Sequence, residues 1–307
     1  MEIIISSFYK YVTINDVEQF QKEHIEYCKL LGIKGKVLVG EEGINGTVSG
    51  TKGQIEQYEK DLLNNQLFNG IMFKRNTADE HPFRKTLVRV RKEIVSSGIN
   101  VNINNKGHYI SPKELKEALD KGEDLILLDA RNGYESKIGK FKGAITPDIE
   151  IFREFPKVAG QIKDLKNKKI VTYCTGGIRC EKASAYLKEN GFSNVYQLHG
   201  GILNYIEQFP DSYFEGRCFV FDDRLSVPSG KNTKDITVCE KCHVPSGKYV
   251  NCSNAKCNLF YICCEECYEK SGYACSKECR GITESKKPLN QVDMQSKRFN
   301  FKSMTNN

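Results

Sequence analysis

The sequence predicts a multidomain α/β chain in three parts. Residues 1–99 form an α+β sandwich and residues 107–214 an α/β domain with a parallel sheet. Residues 215–282 form a small Cys-rich zinc-binding module, and 283–307 a flexible tail. Three observations carry this. Residues 1–95 alternate strand and helix patterns. Continuous apolar segments then alternate with capped helices, as strands buried on both faces do. Finally, nine of the thirteen cysteines lie between Cys239 and Cys279.

Ile3–Tyr11 is an apolar-rich strand. Asp16–Leu31 has helical spacing, with Val17, Phe20, Ile25 and Leu30 on or near one face, and Gly32 is its C-cap. Lys36–Val39 and Ile44–Ser49 are short strands around Glu41-Glu42-Gly43. Gln54–Leu63 is helical again, and Phe68–Lys74 and Leu87–Val90 are further strands. The order β-α-β-β-α-β with an added strand is that of a ferredoxin-like, or acylphosphatase-like, sandwich.

The Asn-rich stretch Asn100–Lys106 is a linker. Ser111-Pro112-Lys113-Glu114 then opens a helix, with Ser111 at N-cap, Pro112 at N1 and Glu114 closing a capping box. That helix runs to about Lys121 and ends at Gly122. Leu125–Asp129, Lys169–Cys174 and Val195–Leu198 are buried strands, and Cys180–Asn190 is a helix closed by Gly191. Residues 215–235 are expected to be an irregular connector with a break at Pro228–Asn232.

Composition narrows the function classes. The longest apolar runs, such as Ile3–Ile5 and Leu125–Leu128, fall far short of the ~20 residues of a membrane span. The start, MEIIISSFYKYV, lacks the charged, apolar and small-residue regions of a signal peptide. A cytoplasmic chain with no membrane or DNA partner is expected. The 46 Lys+Arg against 39 Asp+Glu leave a charge of +7. It is spread along the chain, which permits a local nucleic-acid patch without demanding one. A disulfide framework does not suit this setting; a metal site plus a reactive thiol does.

The reactive thiol is Cys174. In KIVTYCTGGIRCEKASAYLKENG, residues 169–191, a buried strand ends at Cys174. Thr175, Gly176, Gly177, Ile178 and Arg179 turn tightly into a helix beginning near Cys180. The glycines let backbone N–H groups face inward, and the helix N-terminus adds positive potential. A thiolate there has a lowered pKa and is a nucleophile at neutral pH. Arg179 adds a fixed positive charge or braces the loop. The bland alternative is a buried cysteine before an ordinary Gly-rich turn. Cys180 either resolves an oxidised Cys174 or simply packs.

Four residues separate Cys174 from Arg179, one fewer than in tyrosine phosphatases. The loop resembles the six-residue loop of rhodaneses, whose cysteine carries a persulfide. LILLDARNGYES (125–136) and GKFKGAI (139–145) also resemble rhodanese segments. The resemblance implies that the Asp129-x-Arg131 turn approaches the active loop; a salt bridge that only holds the turn is the alternative. With EEGINGTVSG (41–50), LVRVRKEIVSSG (87–98) and PDIEIFREFPKVAG (147–160), the chain resembles the rhodanese-containing tRNA uridine(34) hydroxylases up to about Arg280. That resemblance implies oxygen-dependent conversion of uridine to 5-hydroxyuridine at the tRNA wobble position. It also implies Cys174 as the active-site residue, through a persulfide, with molecular oxygen as co-substrate. No flavin, haem or iron facial-triad motif is seen. Transfer of persulfide sulfur to an acceptor, as a sulfurtransferase, is the second reading. A non-enzymatic module holding a partner is the third, and the intact CTGGIR loop weighs against it.

The C-terminal cysteines fall in four pairs: Cys239 and Cys242, Cys252 and Cys257, Cys264 and Cys267, Cys275 and Cys279. Eight thiolates suffice for two tetrahedral zinc ions. An interleaved arrangement joins Cys239, Cys242, Cys264 and Cys267 in one site and Cys252, Cys257, Cys275 and Cys279 in the other. A sequential pairing is the alternative, with His243 or Cys263 able to replace a ligand, and an iron–sulfur cluster is the other metal reading. A metal-free core over so short a segment would be too small to hold.

For tRNA, and its anticodon arm, the candidate surface is the cation-rich run Phe83–Lys92. Arg89 and Arg91 share a strand face there and suit a phosphate backbone. A charged, solvated edge strand is the alternative. Tyr134, Phe152 and Phe155 are candidates for stacking on unpaired bases, against ordinary core packing.

Overall fold

The computed structural model describes residues 2–282; the tail expected over 283–307 lies outside the described residues. Strand β1 (Ile3–Tyr11) is followed by helix α1 (Val17–Leu30), β2 (Lys34–Gly40), β3 (Gly43–Gly50), α2 (Lys52–Asn64), β4 (Met72–Ala78) and β5 (Thr86–Val90). The sheet order is β4-β1-β3-β2-β5. β1 runs antiparallel to β3 and β4, and β5 adds on parallel to β2. This is the ferredoxin-like arrangement with one extra edge strand. Asp16 caps α1, and Thr51 with Gln54 forms a capping box on α2. The helices bury Val17 and Cys28, and Ile55, Tyr58 and Leu62, against Phe8, Val37, Ile44 and Val48 of the sheet. The strand expected at Phe68–Lys74 starts only at Met72, because Gln66–Phe68 winds into a 3₁₀ turn that buries Phe68.

The central sheet is wholly parallel, in the order β6-β10-β9-β7. It comprises β6 (His108–Ile110), α3 (Pro112–Asp120), β7 (Leu125–Asp129), β9 (Lys169–Tyr173), α6 (Ile178–Glu189), β10 (Asn194–Leu198) and α7 (Gly201–Gln208), with α5 (Phe155–Gln161) before β9. The capping box of Ser111 and Glu114 forms as expected, with Pro112 in the first turn. Ile170 to Tyr173 are all buried, which accounts for the unbroken apolar run of β9.

The described residues divide into two compact units, those up to 131 with 151–208, and 132–150 with 209–282. The sequence places 132–150 inside the central domain. In the structure α4 (Gly133–Ile138) and β8 (Gly139–Phe141) join the second unit, because β8 pairs antiparallel with β11 (Phe214–Phe219). β12 (Ser226–Pro228) adds to the other edge of β11. The stretch expected as an irregular connector therefore carries two strands. β11 does alternate, burying Phe214, Gly216 and Cys218, but the glycine weakens the pattern. β13 (Tyr249–Asn251), β14 (Phe260–Ile262), α8 (Glu265–Lys270) and α9 (Lys277–Ile282) complete this unit. No helix among the described residues is long and apolar enough to cross a membrane.

Candidate active site and metal centres

Strand β9 delivers Cys174 to the start of the loop, and α6 begins four residues later. Gly177 caps α6 with φ +99°, a backbone state that suits glycine; an added Cβ would also lie 3.0 Å from the Tyr9 hydroxyl. Its N–H donates to Cys174 Sγ at 3.1 Å. From the other side, Ile202 N–H donates to the Cys174 carbonyl at 2.9 Å and Leu203 N–H to that of Thr175 at 3.1 Å. Gly201 makes this approach possible, since a Cβ there would meet the Cys174 carbonyl at 2.5 Å. The loop is thus held by the first turn of α7 as well as by its own helix.

Burial alone would raise the Cys174 pKa. It is outweighed by a hydrogen bond from the Cys180 thiol, the Arg179 guanidinium and the N–H groups of Arg179 and Cys180, which bring it to about 6. Burial and the Cys174 charge hold Cys180 well up, so Cys180 remains the thiol donor. Arg179 is itself buried and reaches Thr175 Oγ1 at 3.5 Å. Asp129 and Arg131 are both buried and form a forked ion pair, with Arg131 Nη2 2.7 Å from Asp129 Oδ2. Ala130 N–H donates to the carbonyl of Tyr173, so this turn supports the strand end that carries Cys174.

The N-terminal sandwich supplies groups that the sequence did not single out. Tyr9, Tyr11 and Lys74, from β1 and β4, join Tyr109, Glu181 and His199 around a cavity of about 230 Å³. Cys174 is fully buried and does not itself line it; the wall approaches the cysteine loop through Lys74, at Gly176. Lys74 Nζ lies over the Tyr9 ring, 4.9 Å from its centre, and close to Gly176 of the loop. Burial lowers the Lys74 pKa to about 8, against the pull of the Cys174 and Glu181 charges. Glu181 accepts from the Tyr9 hydroxyl at 2.8 Å and the Tyr109 hydroxyl at 2.6 Å, and pairs with Lys106 at 2.8 Å. Tyr9 and Tyr11 show period-two spacing on one face of β1. That signal was visible, but nothing in the sequence said what the face meets.

The proposed RNA contacts fare differently. Neither Arg89 nor Arg91 lines the cavity. β5 is the edge strand farthest from β4, and Arg91, just past its end, is exposed. Phe152 and Phe155 are buried against each other, and Tyr134 packs on Phe219 and Phe260. These three rings are core residues, not a stacking platform.

In the second unit the cysteines gather as the interleaved reading expects. Cys239, Cys242, Cys264 and Cys267 form one group, and Cys252, Cys257, Cys275 and Cys279 the other, each with its sulfurs within 4.8 Å of one another. Cys242 and Cys264 are 3.7 Å apart, Cys257 and Cys275 3.6 Å, and Cys275 and Cys279 3.7 Å. A tetrahedron with sulfurs ~2.3 Å from a central ion has edges of ~3.8 Å, so both groups fit a metal ion and are compatible with zinc. The N–H groups of Lys241 and Cys275 donate to Cys239 and Cys252 Sγ at 3.4 and 3.5 Å. Cys263 and His243 stay outside both groups.

Three family profiles tile the chain: "UPF0176 acylphosphatase like domain" over residues 3–94, "Rhodanese-like domain" over 111–208 and "Rhodanase C-terminal" over 215–280. A protein of Bacillus mycoides (strain KBAB4) named tRNA uridine(34) hydroxylase is 47% identical over 282 residues, covering 89% of this chain and 88% of its own length. Proteins of the same name from Bacillus cereus (strain B4264) and Bacillus anthracis are 47% and 46% identical over the same shares. Among solved structures, a rhodanese-like domain from Anabaena sp. is 22% identical with a TM-score of 0.31, over 35% of this chain and 78% of its own. A Bacillus halodurans protein is 28% identical with a TM-score of 0.29, over 33% and 73%.

Proposed function

The chain belongs to the tRNA uridine(34) hydroxylase family, and on that premise we propose that it converts uridine at the wobble position of tRNA to 5-hydroxyuridine. Molecular oxygen is the co-substrate, one atom entering the base and the other leaving as water with two electrons from an external reductant, and Cys174, through its persulfide, is the reacting group. One observation supports this most: Cys174 is a thiolate held at a pKa of about 6, beside a cavity walled by aromatic rings and a buried lysine. The wobble base lies in a single-stranded loop, so it enters such a cleft without melting a duplex. Arg179 and the loop N–H groups hold the sulfur's negative charge, and Asp129 and Arg131 fix the strand end beneath it. Arg89 and Arg91 lie on a surface suited to the phosphates of the anticodon arm. The two cysteine groups hold one zinc ion each, as structural centres remote in sequence from Cys174. The work of such an enzyme is cytoplasmic.

The test is nucleoside mass spectrometry of bulk tRNA from cells with and without the gene, in a strain with no parallel route. Loss of 5-hydroxyuridine and its derivatives is expected. An unchanged level, with persulfide transfer from Cys174 to an added thiol acceptor, would replace this reading by the sulfurtransferase one.

A further inference from the structure

Three lysines line the cavity beside the cysteine loop. Two are engaged: Lys10 donates to the Asn69 carbonyl, and Lys106 pairs with Glu181. Lys74 differs. It is only 6% exposed, and among the described residues its ammonium makes no hydrogen bond, lying against the face of Tyr9 and near Gly176. Its ammonium faces the cavity with no protein acceptor, and is therefore open to an acceptor that enters it. The Tyr11 hydroxyl, also on the wall, is buried with no hydrogen-bond partner. Glu181, the carboxylate in the wall, receives Tyr9 and Tyr109 on one oxygen; the other is 2.8 Å from Lys106 but accepts no hydrogen bond of good geometry. The cavity therefore offers an incoming group the Lys74 ammonium and the Tyr11 hydroxyl, between aromatic rings and next to Gly176 of the reactive loop, with one Glu181 oxygen as an acceptor.

We propose that Lys74 is the specificity-determining residue of this site, donating to the 4-carbonyl oxygen of a uracil ring and thereby selecting uridine over cytidine. The assignment rests on the functional reading above and adds the group that recognises the base. Lysine has three donors and no acceptor, so it satisfies a carbonyl and opposes an amino group. The reaction occurs at C5, and the exocyclic group next to C5 is O4 in uracil and an amine in cytosine. Lys74 stands beside the loop that carries Cys174, so the atom it holds is the one adjacent to the reacting edge. Tyr9 and Tyr109 flank the ring, and the free Tyr11 hydroxyl serves a second polar edge.

The full-length chain bearing Cys174→Ser, which should not turn over, is titrated with anticodon stem–loops. These carry uridine, cytidine, pyrimidin-2-one or no base at the wobble position. Uridine should bind about tenfold to a hundredfold more tightly than cytidine or pyrimidin-2-one, the size of one hydrogen bond to a charged group. Adding Lys74→Met should erase that preference and leave the abasic stem–loop unaffected, while Lys74→Arg should keep part of it. A preference that survives Lys74→Met overturns the proposal. So does an equal loss for all four stem–loops with a smaller salt slope, which would make Lys74 a phosphate contact. If Lys74→Met does not fold, the analogue series decides alone: equal binding of uridine and pyrimidin-2-one overturns it. Failure of the wild-type chain to form 5-hydroxyuridine would instead remove the functional reading, since these binding ratios need no turnover.

Discussion

The hydroxyl of Tyr9, on the first strand of the chain, donates to the carboxylate of Glu181, on the helix that begins in the cysteine loop, at 2.8 Å. The next residue, Lys182, reaches back to Glu42 at 2.9 Å and Glu93 at 3.1 Å. Both helix residues are almost fully buried. An unusually polar helix is thus covered nearly all round, because the N-terminal sandwich lies against the face that the parallel sheet leaves open. The sandwich is a wall of the reactive site.

Lys182→Met should destabilise the chain, since it strands two carboxylates. Glu42 and Glu93 are partly exposed, so the loss should be about 2 kcal/mol, below the ~3–5 kcal/mol of a fully buried pair. Urea unfolding followed by circular dichroism measures it, and an unchanged midpoint would show that the pairs contribute nothing.

Cys174→Ser should leave the fold intact and abolish hydroxylation, because a serine hydroxyl is not ionised at neutral pH and cannot carry a persulfide. Turnover by this variant at the wild-type rate would remove Cys174 from the mechanism.

The thiolate should also titrate low. Its absorbance, taken as wild type minus Cys174→Ser, should rise through a midpoint of about 6. Cys180→Ala removes the thiol that donates to Cys174 and should move the midpoint upward. The sign carries to stability. A pKa lowered from 9.0 to about 6 on folding contributes fully above the unfolded value and is lost as pH falls through the folded one. A midpoint unmoved by Cys180→Ala would remove that thiol from the account.

Metal analysis should find about two zinc ions per chain, the capacity of two four-thiolate sites. Chelation should loosen residues 239–279 and expose their thiols to alkylation while the parallel-sheet domain stays folded. Protease resistance of that segment without metal would contradict this.

Arg89→Ala with Arg91→Ala should weaken tRNA binding about equally across sequences and flatten its dependence on salt by roughly one slope unit per lost phosphate contact. Cys174 should keep its titration. Unaltered tRNA affinity would reassign these residues to a solvated strand edge.

Local chemistry made much of this legible. The capping box of Ser111 and the apolar run of β9 each specify structure within a few residues, and each forms as expected; the cysteine spacings mark the pairs, while the fold decides that they gather interleaved. What stayed hidden depends on which surfaces meet. Tyr11 and Lys74 look like ordinary strand residues until β1 and β4 are set against the loop. Tyr134, Phe152 and Phe155 are in the sequence either stacking rings or core, and the packing makes them core. Glu181 and Lys182 look solvent-exposed until the sandwich covers their helix.

The pairing of β8 with β11 has a consequence for the order of synthesis. Phe141 of β8 stands opposite Phe214 of β11. β8 therefore leaves the ribosome long before its partner exists, and must wait while β9, α6, β10 and α7 are made. Closing so long a loop is slow, and an unpaired strand can engage other chains meanwhile. A fragment ending at residue 208 would carry β8 with no partner at all, so expression of the central region alone should favour aggregation, and extending it through Pro228 should restore a monomer.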